Sequence, residues 1–143
     1  MLGDEVADYL ASAGLGLTIG SSGANGVFAT VFPPDAADTA TAIIEYGGDM
    51  TYDAFGPSLA APVFERPRFQ VCCRDGSNNT LTCRRLIQSI YKKLRHFAGT
   101  MGSTGQVTYG FIQAAGPPFF LKFDESQRVH YACNFMAIKS EST

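Results

Sequence analysis

One long amphipathic segment constrains this chain more than any other feature. Between Thr80 and Ala98, apolar residues recur at spacings of three and four, which predicts a helix with one wide apolar stripe. The preceding Asn78, Asn79 and Thr80 offer an N-cap, and Gly99 follows the end. The stripe consists of Cys83, Leu86, Ile87, Ile90, Tyr91, Leu94 and Phe97. A helix of this kind needs an apolar partner, and the rest of the chain indicates a sheet.

Strand patterns stand on both sides of this helix. On the N-terminal side we predict a hairpin whose turn is Asn25-Gly26, a strand closed by Gly47-Gly48, and a strand that begins at Pro67. On the C-terminal side, alternating residues predict a β-meander. The predicted strands are 16–20, 26–32, 39–48, 68–74, 106–114, 119–123 and 128–138.

Four of these strands have specific predicted faces. In 128–138 the apolar side runs through Val129, Tyr131, Cys133 and Phe135. In 68–74, one face carries Phe69, Val71 and Cys73, and the other face is polar. In 106–114 the apolar side runs through Val107, Tyr109 and Phe111. In 119–123 it runs through Phe119, Leu121 and Phe123.

A short helix is predicted at the N-terminus, capped by Asp4 and stopped by Gly14. Strands do not alternate with helices, so a doubly wound parallel sheet is not expected. We predict a single α+β domain over residues 1–143. It has an antiparallel β-sheet with a mixed edge, the long helix on one face, and the short N-terminal helix.

Residues 47–63 lack clean periodicity and form a long predicted loop. Long loops in compact domains are usually functional or disordered. This one carries apolar residues of an exposed type, Met50, Tyr52, Phe55 and Leu59. We interpret it as an interaction arm; the alternative is a loop packed on its own domain.

The charge distribution is lopsided. Residues 1–65 carry nine acids and no Lys or Arg, a net −9, whereas residues 66–143 carry a net +7. Either the halves pair within one chain, or the acidic half of one copy faces the basic half of the next. The second interpretation makes the basic residues candidate contacts: Arg66, Arg68, Arg84, Arg85, Lys92, Lys93 and Arg95.

The polar face of the predicted helix carries five of these bases, Arg84, Arg85, Lys92, Lys93 and Arg95. This face could meet nucleic acid phosphates, but the whole chain has a net charge of −2 and no DNA or RNA motif.

No residue pattern indicates catalysis, a cofactor or a metal. Cys72 and Cys73 are adjacent in a strand and point to opposite faces, so they are not expected to share an ion or a disulfide. Cys73, Cys83 and Cys133 lie on apolar faces and are predicted core residues, while the place of Cys72 is open. His96 and His130 have no sequence-local nucleophile, although triad partners can be distant in sequence.

The N-terminus lacks a basic signal-peptide region, and no apolar run approaches the ~20 residues of a membrane span. We therefore expect a soluble protein made in a reducing cytoplasm, with free thiols and no membrane partner.

Four stretches in this order resemble the tail terminator or minor capsid proteins of tailed bacteriophages. They are "DYLASAGLGLTIG", "AIIEYGG", "ERPRFQVCCRDG" and the amphipathic helix that follows. The third is similar to an E-R-P-x-x-Q-V-x-x-R strand of that family. Together they span about residues 4 to 98, and the C-terminal meander adds no distinctive motif.

The resemblance implies a structural virion protein in the tail-neck region, made in the host cytoplasm. Such proteins form a hexameric ring on the head-proximal end of the tail tube, stop tube polymerisation and offer a surface to the head connector. The implied partners are other copies of the chain, the tube protein and the connector or neck protein. DNA passes through the lumen without sequence-specific binding, and no cofactor is implied.

Three alternatives stay open. A neck or head-completion protein would share this size and fold class. A tail tube protein usually needs longer hairpins than this chain offers. A small intracellular enzyme or binding domain would show a dominant concave pocket with converging polar groups.

Overall fold

The computed structural model describes residues 2–52, 64–101 and 107–140. Within these residues the chain forms two α-helices, one 3-10 turn (Ser77–Asn79) and eight strands. The helices are α1 (Leu2–Ser12) and α2 (Thr80–Leu94). The strands are β1 (Thr18–Ile19), β2 (Gly26–Phe28), β3 (Ala40–Tyr52), β4 (Phe64–Asp75), β5 (Gly99–Met101), β6 (Val107–Ala114), β7 (Phe119–Phe123) and β8 (Val129–Ser140).

All eight strands belong to one sheet. Its order is β1-β2-β3-β4-β8-β6-β5, and β7 pairs with the part of β8 that β6 leaves open. Strands β1, β2 and β3 are parallel, whereas every other pairing is antiparallel. The predicted α+β class and the mixed edge of the sheet are therefore confirmed.

The predicted hairpin at Asn25-Gly26 is wrong. Strands β1 and β2 pair in parallel, with Thr18 opposite Gly26. The turn signal itself was correct, because Asn25 has a positive φ of 63°. A second positive φ at Gly20, 64°, lets the connection carry the chain back before β2 begins.

The predicted end of β3 and the predicted start of β4 are also wrong. Gly47-Gly48 does not end β3, because the strand continues to Tyr52 after a register shift between Glu45 and Gly48. Pro67 lies inside β4, a central strand, opposite Gly48. A proline removes one ladder hydrogen bond, and the irregular register there accommodates that loss.

The outer face of β4 is more buried than predicted. All residues from Val71 to Asp75 are buried, including Cys72 and Arg74. The segment 29–39 covers this face, with the ring of Phe32 against His130 and under the Arg74 guanidinium. The periodicity correctly placed Phe69, Val71 and Cys73 on the helix-covered face.

Both helices differ at their ends from the prediction. Helix α1 begins at Leu2, so Asp4 lies in its first turn and is not the cap. Helix α2 begins after Asn79, whose side-chain amide donates to Asp75 and does not cap the helix.

Helix α2 ends at Leu94 and not at Ala98, because the chain after it pairs with β6. The His96 N–H donates to the Ile112 carbonyl, and the Ile112 N–H donates to the Phe97 carbonyl. This pairing requires the positive φ of His96, 63°.

The main core lies between the sheet and the two helices. Leu2, Val6 and Leu10 of α1 and the predicted stripe residues of α2 pack against it. Complete burial of a side chain such as Ile87 contributes about 1.5–3 kcal/mol. The predicted face of β6 is wrong after Tyr109, because a bulge lies between Tyr109 and Phe111 and turns Ile112 into the core.

Candidate assembly surfaces and a buried polar network

The exposed face of α2 is the most basic surface that the sequence predicted. Arg84, Arg85, Lys92 and Lys93 are exposed, and no acidic side chain of the described residues lies within ion-pair distance of them. Arg95 lies just after the helix, and the central carbon of its guanidinium is 4.9 Å from the centre of the Tyr91 ring. Four uncompensated positive charges on one rigid helix form a surface suited to an acidic partner.

Arg66 and Arg68 lie elsewhere, on β4. Arg68 points away from the helix layer, since its neighbour Phe69 points into it. Its side chain lines a cleft of about 340 Å³ together with Tyr46 and Met136. The structure therefore does not bring these two arginines together with the bases of α2.

The predicted arm is only partly described. Met50 and Tyr52 belong to β3, and Tyr52 is the register partner of Phe64 on β4. Residues 47–52 are thus strand and not loop. Phe55 and Leu59 lie outside the described residues.

Ion pairs within the chain connect its acidic and basic halves. Arg128 lies 3.7 Å from Asp38, and Lys139 lies 2.9 Å from Glu5 and 4.0 Å from Glu65. Some acids of the N-terminal half are thus paired with bases of the C-terminal half within one molecule. The bases of α2 remain available for contacts with other molecules.

A buried polar network lies on the sheet face opposite the helices, and the sequence did not predict it. The Cys72 thiol is 3.6 Å from Nδ1 of His130, and Nε2 of that ring is 2.9 Å from Oδ2 of Asp124. Asp124 also accepts hydrogen bonds from the Ser126 N–H and from the N–H and Nε of Arg128. The only sequence signal was Asp124, a turn residue six positions before a strand histidine.

This order of thiol, imidazole and carboxylate resembles a catalytic triad, but the Cys72 side chain is buried. Burial raises the pKa of the Cys72 thiol to about 11, so it is not a thiolate at neutral pH. Burial also lowers the pKa of His130, despite the opposing effect of Asp124. The Asp124 carboxyl is desolvated, yet hydrogen bonds from His130 and Arg128 hold its pKa well below the usual range.

Arg74 extends this network. Its guanidinium donates to the carbonyls of Ala37 at 2.8 Å and Asp38 at 3.2 Å. It also lies 4.3 Å from the centre of the Phe32 ring. These contacts hold the segment 29–39 against the sheet and link it to the turn before β8.

Strand β7 is a surface that sequence periodicity missed. The alternation predicted one apolar side, but every residue of β7 is exposed. Phe119, Phe120, Leu121 and Phe123 are 38–53% exposed. The aromatic composition of "FFLKF" was the available signal, and only the sheet order shows that this strand lies at an edge.

The enzyme alternative requires a concave pocket, and the described residues form several clefts. A second cleft, of about 310 Å³, is lined by Asp4, Thr30 and Glu45 among others, and a third, of about 430 Å³, lies on α2 beside Arg84, Arg85 and Lys92. Within the described ranges, no three His, Cys, Asp or Glu side chains are grouped as metal ligands would be. Neither described helix is long and apolar enough to span a bilayer.

Comparison with known proteins gives two matches. A family model described as "Bacteriophage tail terminator protein" matches residues 9–141. A solved chain from the virion of a native gene transfer agent particle matches with a TM-score of 0.65 and 13% identity, over 98% of this chain and 95% of that chain. At this identity the structural likeness shows the fold. The comparison with curated sequences gave no match.

Proposed function

Since the chain belongs to the bacteriophage tail terminator protein family, we propose that it forms a ring at the head-proximal end of a phage tail tube. The ring ends tube polymerisation and joins the tail to the head connector. The observation that carries this proposal is the family match, which covers nearly the whole chain. That match also confirms the resemblance drawn from the four sequence stretches, and it identifies the chain as a structural protein of a phage tail.

The geometry supports a ring-forming subunit. Exposed bases on α2, the unequal charge of the two halves and an exposed apolar edge strand are features of a surface that contacts other copies. We propose six copies of a single domain, 1–143, in line with the family resemblance. The other partners are the tube protein and the connector, and DNA passes through the lumen without sequence-specific contacts.

The residues proposed for these contacts fall into three groups. The basic face of α2 and Arg95 form the first, and Arg66 and Arg68 of β4 form the second. The third is the arm with Met50, Tyr52, Phe55 and Leu59. The first two groups lie on different surfaces of the molecule, as a subunit with more than one neighbour requires.

Electron microscopy of particles from a phage that lacks this gene tests the proposal. We expect overlong tubes beside tail-less, DNA-filled heads, because nothing ends the tube or presents it to the connector. A plasmid copy of the gene should restore tube length and infectivity.

Two other results would contradict the proposal. Tubes of normal length that fail to join heads would indicate a neck or head-completion protein. Normal particles in normal numbers would exclude both roles.

A further inference from the structure

Strand β7 is an edge strand with an apolar surface. Within the described residues it pairs with β8 alone, and its other side is open. Its apolar side chains are exposed on both faces of the sheet, since neighbouring strand residues point to opposite faces. A single charge, Lys122, interrupts them. Soluble proteins usually protect such edges with charges, proline or short length, and here one lysine and the preceding Pro117-Pro118 stand beside four exposed apolar side chains. An exposed apolar edge of this kind indicates a contact.

Strand β1 is the first strand of the sheet order, whose last strand is β5, and it forms a second open edge. The Thr18 N–H donates to the carbonyl of Asn25, just before β2, and the Gly20 N–H donates to the carbonyl of Val27. The opposite side of β1 has no strand partner among the described residues. The side chain of Ile19 is 52% exposed. Residues 9–32 contain no charged residue and no proline, so only the short length of β1, two residues, protects this edge.

The β1 and β7 edges lie at the same level of the sheet. Successive register partners connect one edge to the other in a single row: Ile19, Val27, Thr41, Cys73, Tyr131 and Phe120. The strand directions also match. Because β1, β2, β3 and β8 run one way and β4 and β7 run the other way, β7 is antiparallel to β1. Two copies placed side by side in the same orientation therefore bring β7 of one copy against β1 of the next as an antiparallel pair.

We propose that β7 of one copy adds to the β1 edge of the next copy, with Phe120 level with Ile19. This is a head-to-tail contact, and successive head-to-tail contacts close into a ring when the rotation per subunit allows. Main-chain hydrogen bonds provide part of the affinity, and packing of the exposed aromatic side chains provides the rest. The inference rests on the proposed ring function and identifies the contact that builds the ring.

Directed disulfide trapping tests this contact. The unchanged chain has four buried free cysteines, so an added surface thiol reacts selectively. Ile19→Cys and Phe120→Cys are prepared as separate proteins, mixed, and oxidised mildly. Facing residues of antiparallel strands have Cα atoms about 4.5–5.5 Å apart, which suits a disulfide. We expect a covalent dimer from the mixture and monomers from either variant alone.

The matched control is Val31→Cys mixed with Phe120→Cys. Val31 is 64% exposed, so its thiol is accessible, but it does not belong to β1. We expect at least about tenfold more dimer from the Ile19 pair, because a disulfide requires Cα atoms within about 7 Å. Phe119→Cys and Leu121→Cys, each mixed with Ile19→Cys, cover a register shift of one residue.

Three results overturn the inference. One is that none of the three β7 variants forms more covalent dimer with Ile19→Cys than the control pair forms. Another is a dimer of Phe120→Cys with itself, which indicates a two-fold contact. The last is a dimer of Ile19→Cys with itself, which likewise indicates a two-fold contact. The gene-deletion phenotype does not depend on this contact and judges the proposed function separately.

Discussion

At the scale of single residues, the arrangement around His130 shows how burial decides chemistry. The ring lies between the Cys72 thiol and the Asp124 carboxylate, and positive charges of Lys122 and Arg74 lie near it. Burial disfavours the charged ring, and these cations add to that effect, while Asp124 opposes it. The folded state therefore favours neutral His130.

A pH dependence of stability follows from His130. Because its pKa is lower in the folded state, the unfolded chain binds more protons once the pH falls below the ordinary histidine value of about 6.5. We expect the free energy of unfolding to fall between about pH 7.5 and 5.5, by at most about 1.4 kcal/mol per pH unit for one proton. Urea unfolding across this range measures the slope.

The variant His130→Gln should flatten this slope, since Gln does not titrate. The control is His96→Asn, because the His96 side chain is exposed and Asn tolerates its positive φ. An equal slope in the unchanged protein and in His130→Gln would show that other groups carry the effect. Asp124 affects stability at lower pH. Because its pKa is depressed in the folded state, its contribution to the free energy of unfolding is complete above about pH 4 and is lost below it.

At the scale of elements, α2 performs two tasks with two faces. Its buried face of Cys83, Ile87, Ile90 and Leu94 holds the sheet, and its exposed face presents four bases. Because no described acid pairs with these bases, their charges contribute little to folding.

Reversing Arg84, Arg85, Lys92 and Lys93 to Glu should therefore weaken assembly without unfolding the helix. We expect a stability change below about 1 kcal/mol, part of it from acids placed at the negative end of the helix dipole. Circular dichroism measures the helix, and complementation of the gene deletion measures function. A matched set with Gln at the same positions should give an intermediate loss. Full infectivity with the Glu set would show that this face makes no essential contact.

At the scale of the whole molecule, one buried cluster joins the beginning of the chain to its end. The Lys139 ammonium of β8 donates to the Glu5 carboxylate of α1 at 2.9 Å, and the Tyr109 hydroxyl of β6 donates to the same oxygen at 2.8 Å. Both charged side chains are nearly inaccessible, 2% for Lys139 and 6% for Glu5. Burial, together with the Glu5 carboxylate, raises the pKa of Tyr109 far above its usual value, so its hydroxyl stays a donor.

Removing one member of this cluster should be costly. We expect Lys139→Met to lower the free energy of unfolding by about 3–5 kcal/mol, because it removes the ammonium that faces the buried Glu5 carboxylate. Thermal and urea unfolding measure the loss.

Replacing all three polar groups, as Glu5→Leu, Lys139→Met and Tyr109→Phe together, should recover much of that stability. The control is Asp38→Asn, which breaks an exposed ion pair with Arg128 and should cost less than about 1 kcal/mol. A loss in Lys139→Met no larger than the control would show that the pair contributes nothing.

The sequence by itself determined the class of fold and the elements whose signals are local. The amphipathic stripe of α2, the alternation of β4 and the turn at Asn25 depend on neighbouring residues, and they are present in the structure. The order of the four motifs was also sufficient to indicate the family. Hydrophobic periodicity carries such information because a helix or strand repeats over a few residues.

Tertiary structure alone decided what depends on distant partners. It ended α2 at Leu94 through pairing of His96 and Phe97 with β6, and it carried β3 past Gly47-Gly48. It also brought Cys72, His130 and Asp124 together, and placed Glu5 against Lys139, 134 residues away. The open edges β1 and β7 follow from the strand order in the same way, because whether a strand is central or at an edge depends on which segments pair across the sheet and not on its own residues.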